Sequence, residues 1–128
     1  MNKIKILLAD DHEIVREGIR KVLETDPALE IVAEARNGRE ALAILEQPGH
    51  GVNLVLTDVI MPDMGGVELA DRVAGAHPDV RIVYMSGYSE HDKLHPGVRS
   101  SPYPFLQKPF SPENLAARIR EALDHAPR

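Results

Sequence analysis

Five polar residues break an otherwise apolar pattern, each at the end of a short run of aliphatic residues. Asp10 and Asp11 follow IKILLA (4–9), Asp58 follows NLVLT (53–57), Ser86 follows RIVYM (81–85) and Lys108 follows PFLQ (104–107). A carboxylate is costly to bury, so Asp58 directly after Leu54, Val55 and Leu56 asks for a partner. Three carboxylates brought together would repel one another unless a counter-charge joined them. An all-oxygen ligand set favours a hard divalent ion, Mg2+, which keeps several waters and leaves a position for a phosphoryl oxygen. Lys108 would add a second positive charge. Mg2+, a lysine and a carboxylate oxygen as the attacking atom are the parts that in-line phosphoryl transfer needs, and Asp58 is then the nucleophile.

That chemistry requires the five residues to meet, and the pattern of elements says how. Besides the four runs above, EIVAEA (30–35) gives a fifth β-branched segment, so five strands are expected. Helical patterns lie between them. Ile14, Val15, Ile19, Val22 and Leu23 are read as one face, as are Leu115, Ile119, Ala122 and Leu123 near the C-terminus. Asn37 with Glu40 three residues on, and Ser111 before Pro112, are helix-start signals. Alternating strands and helices read as βαβ units on a parallel sheet with right-handed crossovers. The expected fold is α/β, a flavodoxin-like (βα)5 three-layer sandwich with sheet order 2-1-3-4-5. In that order the strand sequence reverses between strands 1 and 3, and the crevice at their carboxyl ends brings Asp10, Asp11 and Asp58 together.

Composition narrows the function classes. With 128 residues and 43% hydrophobic content, residues 1–128 are read as a single domain with one core. Cysteine is absent, which excludes disulfides and thiolate metal sites and suits the cytoplasm. The opening MNKIKILLADD meets two aspartates before a signal-peptide core could form, and no segment of about 20 apolar residues could span a membrane. Fifteen Lys and Arg against twenty Asp and Glu give a net charge of −5 without a basic cluster, so direct nucleic-acid binding is not expected. The histidines are scattered, and all, His12 included, are read as surface residues. Gly65 and Gly66 are read as serving the turn into the third helix.

The motifs LLADD (7–11), TDVIMPDMGG (57–66), YMSGY (84–88) and FLQKPF (105–110), in this order and at these strand ends, closely resemble the receiver domain of two-component response regulators and hybrid sensor histidine kinases. The resemblance covers almost the whole chain. It implies that Asp58 is the phosphoacceptor, Asp11 a direct Mg2+ ligand, Asp10 an acid acting mainly through metal-bound water, and the Ile60 carbonyl a further ligand. Ser86 would be the hydroxyl that turns toward the phosphoryl group, Phe105 the switching aromatic, and Lys108 the lysine preceding Pro109. The donor would be a phosphohistidine on a sensor histidine kinase or a histidine phosphotransfer domain. Ile14, Val15, Pro109 and Phe110 would border the docking surface for that partner. The protein would be a monomer or weak dimer and no turnover enzyme, acting only in its own phosphorylation and dephosphorylation. Bulky Ile60 and Tyr88 beside the path of attacking water imply slow dephosphorylation.

Two other readings compete. A haloacid dehalogenase-like phosphatase also uses Mg2+, an aspartyl nucleophile and a lysine, but places the nucleophile in an Asp-x-Asp run after strand 1, where this chain has Asp10-Asp11-His12. A receiver-like docking module that no longer takes phosphate usually lacks an acid or the lysine, and all are here. Between strands 4 and 5, SEHDKLH (89–95) offers a fourth helix with Leu94 as its one large apolar residue, ended by Pro96, so a short and mobile helix is expected.

Overall fold

The computed structural model describes residues 3–86, 103–107 and 110–124. The chain runs β1 (Ile4–Ala9), α1 (Glu13–Glu24), β2 (Leu29–Ala35), α2 (Gly38–Leu45), β3 (Leu54–Asp58), α3 (Gly66–Ala76), β4 (Arg81–Ser86), β5 (Phe105–Gln107) and α4 (Pro112–Asp124). The expected fourth helix at 89–95 lies outside the described residues.

The five strands form one parallel sheet in the order β2-β1-β3-β4-β5, as the alternation of patterns requires. Side chains of a strand alternate between faces. Ile6 and Leu8 of β1, Leu54 and Leu56 of β3, and Val83 and Met85 of β4 pack on one side with Ile19 and Leu23 of α1 and Leu115, Ile119 and Ala122 of α4. Leu7 and Ala9, Val55, and Ile82 and Tyr84 pack on the other with Ala41 and Leu45 of α2 and Leu69, Ala70 and Val73 of α3. Both faces of the central strands are covered, which is why they read as unbroken apolar runs. Each fully buried aliphatic side chain here contributes roughly 1.5–3 kcal/mol of apolar burial.

The helix starts follow the sequence signals. Asn37 Oδ1 accepts the Glu40 N–H at 2.9 Å, and Ser111 Oγ accepts the Asn114 N–H at 3.1 Å. Glu40 does not complete the reciprocal bond to its own cap. Its carboxylate reaches one residue further back, to the Arg36 N–H at 2.9 Å, and this bond, with the Arg36 guanidinium, holds the Glu40 carboxyl below its ordinary range.

One residue departs from the expected face of α1. Ile19 and Leu23 are buried and Val15 and Val22 half-buried, but Ile14 is 84% exposed. At 100° per residue Ile14 lies off the stripe formed by Val15, Ile19, Val22 and Leu23, so an apolar side chain in the first turn stands in solvent.

Gly65 and Gly66 stand at the start of α3, as expected, and the structure gives the reason. Neither Gly65 nor Gly66 adopts positive φ. The left-handed residue of this turn is Asp63, at φ 65°. What Gly66 provides is close approach, because a Cβ there would lie 2.4 Å from the Asp58 carbonyl oxygen and 3.1 Å from the Val59 Cα. Gly65 passes nearly as close to the Val59 carbonyl, where a Cβ would come within 2.8 Å. The chain leaving β3 folds back on that strand's own backbone, and the Gly66 N–H donates to the Val59 carbonyl at 2.8 Å.

Candidate metal and phosphoryl site

The register of the sheet places two of the acids side by side. Ala9 of β1 pairs with Thr57 of β3, so Asp10 and Asp58, each one residue further, are neighbours at the carboxyl end. Asp10 continues the ladder by donating its N–H to the Ala35 carbonyl at 3.0 Å, and the Val59 N–H after Asp58 bonds the Met85 carbonyl at 3.1 Å. Rigid sheet edges therefore hold both backbones. Asp10 is fully buried and Asp58 is 1% exposed.

Each carboxylate is also oriented locally. One oxygen of Asp10 accepts the His12 N–H at 2.9 Å, and one oxygen of Asp58 accepts the Val59 N–H at 3.0 Å. Asp11, half-buried, turns toward the same place, and its Oδ1 is buried without a hydrogen-bond donor among the described residues. Asp10, Asp11 and Asp58, together with the His12 ring, each bring one ligand atom within 4.8 Å of all the others.

The residues present fit a hard cation. Three carboxylates converge, the buried Asp11 Oδ1 makes no hydrogen bond among the described residues, and an oxygen set of this size suits Mg2+ bound through a few carboxylates and water. Asp10, Asp11 and Asp58 are thus brought together as the sequence order implies. Ile60 follows two residues after Asp58 and is 49% exposed.

The other expected site residues are placed as follows. Ser86 ends β4, paired in register with Gln107, but its side chain lies outside the described residues, as do Lys108, Pro109 and Tyr88. Phe105 opens β5 opposite Tyr84 and is half-buried against the α2–α3 side of the core, beside the edge-to-face pair Tyr84–Tyr103, whose ring centres are 5.8 Å apart. Val15 and Phe110 are half-buried on the opposite side.

Two features were not legible in the sequence. His12 is exposed, as expected, but its Nδ1 lies 3.4 Å from Asp10 Oδ1 and 3.2 Å from Asp11 Oδ1, so it belongs to the rim of the acidic cluster. Its place directly after two acids at a strand end was the available signal. His50 and His77 are half-buried and meet edge to face, with ring centres 6.0 Å apart, so they are not free surface residues either. The second feature is Arg16, whose guanidinium donates to the Asp10 carbonyl at 2.6 Å and to Glu34 of β2 at 3.2 Å. No short-range pattern points to it, because its partners are contributed by separate strands.

Comparison with known proteins agrees with this architecture. The family model described as the response regulator receiver domain matches residues 6–120. Over 119 residues the chain is 36% identical to the sensor kinase CckA of Brucella abortus, a match covering 93% of this chain and 12% of that protein. It is 34% identical over 112 residues to the uncharacterized transcriptional regulatory protein YhcZ of Bacillus subtilis, covering 88% of this chain and 51% of that one. The chain thus spans about half, or much less, of the length of these relatives. Among solved structures, the receiver domain of the response regulator AraT from Geobacillus stearothermophilus superposes with a TM-score of 0.75 at 31% identity, covering 94% of this chain and 92% of that one. With the parallel 2-1-3-4-5 sheet and the acids at its switch point, the match along nearly the whole chain shows that it belongs to the response regulator receiver domain family of two-component systems.

Proposed function

We propose that this chain is a phosphoacceptor, a single receiver domain over residues 1–128 acting in the cytoplasm. It takes a phosphoryl group from a phosphohistidine of a sensor histidine kinase or histidine phosphotransfer domain onto Asp58. The observation that carries this reading is the convergence of Asp10, Asp11 and Asp58 at the sheet's switch point, with Asp58 fixed at the end of a buried central strand. Asp10, Asp11, Asp58 and the carbonyl of Ile60 would hold Mg2+. When bound, that ion supplies neutralisation of the charge on the carboxylates and the phosphoryl oxygens.

The chain's own residues do the rest. The Asp58 oxygen attacks phosphorus in line, the bond from phosphorus to the partner's imidazole nitrogen breaks, and the imidazole leaves with that electron pair. The Val59 N–H donates to the Asp58 carboxylate at 3.0 Å and fixes its rotation at the end of β3. Lys108 is assigned to the incoming phosphoryl charge, and Ser86 and Phe105 to the conformational change that follows. The domain promotes its own phosphorylation and dephosphorylation and turns over no separate substrate.

Beryllofluoride, which mimics a phosphoryl group on a carboxylate, tests this. Titrated with Mg2+ and followed by nuclear magnetic resonance, it is expected to form a 1:1 adduct that shifts the amides of Asp58 and Val59. Absence of an adduct would favour a phosphate-independent docking module, and turnover of small phosphate esters would favour a phosphatase.

Docking is tested separately. Ile14 stands exposed in the first turn of α1, three residues after Asp11, and Ile60, two residues after Asp58, is exposed as well. Two exposed apolar side chains close in sequence to the acids suit a partner helix that presents a histidine. Ile14→Asp is expected to slow transfer from a histidine kinase by on the order of tenfold, the effect of about 1.4 kcal/mol at an interface. It should leave uptake from acetyl phosphate and the melting temperature unchanged. Unaltered transfer from the kinase would remove Ile14 from the docking surface.

A further inference from the structure

The turn that carries Asp10 and Asp11 hangs on a bond that the sheet does not provide. Asp10 gives its N–H to Ala35, the last residue of β2. In a parallel ladder the next rung would run from the Asn37 N–H to the Asp10 carbonyl. Asn37 has already left the strand to cap α2. The vacated position at the Asp10 carbonyl is taken by a side chain, Nη1 of Arg16, at 2.6 Å. The same guanidinium is held from behind, Nε donating to Glu34 Oε1 at 3.2 Å, while the other Glu34 oxygen accepts from Arg20. Only 13% of the Arg16 side chain is exposed. A planar fork that satisfies a carbonyl with one nitrogen and a carboxylate with another is a task for arginine, because an ammonium has no second nitrogen to span the two.

We propose that Arg16 is a positioning residue for the acidic cluster, tying the turn bearing Asp10 and Asp11 to Glu34 on β2 and so presetting the carboxylates for a divalent cation. It touches neither the phosphoryl group nor a metal ligand's carboxylate. It acts on the backbone of Asp10, and the His12 N–H bond to the Asp10 carboxylate carries the effect to the side chain. The inference rests on the reading that Mg2+ binds at Asp10, Asp11 and Asp58.

Charge and position make opposite demands, and this separates them. A cation near a cation site weakens binding by repulsion, so removing Arg16 for its charge alone would tighten Mg2+. Removing it as a clamp would loosen Mg2+, because partners that orient a ligand set typically contribute 10–100-fold in affinity. Arg16→Lys keeps the charge and loses the fork, and Arg16→Gln loses both. Measured by calorimetric titration of the intact chain with Mg2+ alone, both variants are expected to bind about tenfold more weakly than the parent. Arg16→Lys, the smaller change, carries the test if Arg16→Gln does not fold. Unchanged affinity in Arg16→Lys, or tighter binding in Arg16→Gln, would overturn the proposal.

A second readout needs no metal. Hydrogen exchange of the Asp11 and His12 amides in Mg2+-free protein is expected to speed up several-fold in Arg16→Lys, while core amides of β1 and β3 keep the parent's rates. Unchanged exchange at Asp11 and His12 would overturn the clamp even if the parent bound no Mg2+ at all. A parent that binds no Mg2+ would instead sink the metal reading on which the proposal rests.

Discussion

Asp58→Asn is expected to abolish phosphoryl uptake from acetyl phosphate, with no mass gain under conditions that modify the parent. An amide oxygen is a poor nucleophile toward phosphorus, and the substitution also removes one of three clustered charges, so Mg2+ binding weakens as well. The fold is not expected to suffer. Asparagine keeps an oxygen for the Val59 N–H and relieves repulsion among carboxylates, so the Mg2+-free variant should melt at or above the parent's temperature. Mg2+ should then raise the melting point of the parent more than that of the variant, since a ligand stabilises only in proportion to its affinity for the native state. A variant that still gains one phosphoryl group would move the acceptor elsewhere. One that merely unfolds would leave a structural role for Asp58 in place of the chemical one.

Gly66→Ala should be the most damaging small substitution outside the acids. Its methyl group would lie 2.4 Å from the Asp58 carbonyl oxygen, and the atoms it meets are backbone, which cannot swing aside. Either α3 retreats or the end of β3 shifts, and both options disturb Asp58. Overpacking of this kind costs about 2–3 kcal/mol, equivalent to a melting point lower by about 10 °C for a domain of this size. Phosphoryl uptake should slow at temperatures where the variant is still folded, because Asp58 itself is moved. Gly18→Ala is the control, since nothing lies within 4 Å of a Cβ at exposed Gly18 in α1. There alanine should stabilise by about 0.5–1 kcal/mol through helix propensity. Equal melting points for Gly66→Ala and the parent would refute the close-approach argument.

The contrast between these two glycines shows what a sequence reveals and what it conceals. The strands were legible because β1, β3 and β4 are buried on both faces, and burial on both faces leaves short apolar runs whose length and β-branched content mark them as strands. IKILLA was expected at 4–9 and β1 occupies Ile4–Ala9, whereas β3 begins and ends one residue later than its run suggested, taking in Asp58. The convergence of Asp10, Asp11 and Asp58 was legible for a topological reason, since a parallel sheet of this order leaves them one place to meet. Asn37 and Ser111 were legible because a cap acts over three residues.

What escaped the sequence depends on contacts between distant segments. Gly66 looked like any glycine at a turn, and its proximity to the Asp58 carbonyl exists only once α3 has docked. Arg16 looked like a polar residue on an amphipathic helix, and its two partners come from the ends of different strands. Ile14 was read with the apolar stripe of α1 and also as a docking residue expected to be partly exposed. The geometry of the first turn leaves it off the stripe and in solvent.

The central claim is that Asp58 carries the phosphoryl group, and the most direct measurement is the position of the acyl phosphate. Protein treated with acetyl phosphate and Mg2+, then reduced with borohydride, converts a phosphorylated aspartate to homoserine, which fragment masses locate to a single residue. Homoserine at position 58 alone, and none when Mg2+ is withheld, is the expected result; homoserine at position 10 or 11, or at no aspartate while the intact protein still gains phosphate, would contradict it.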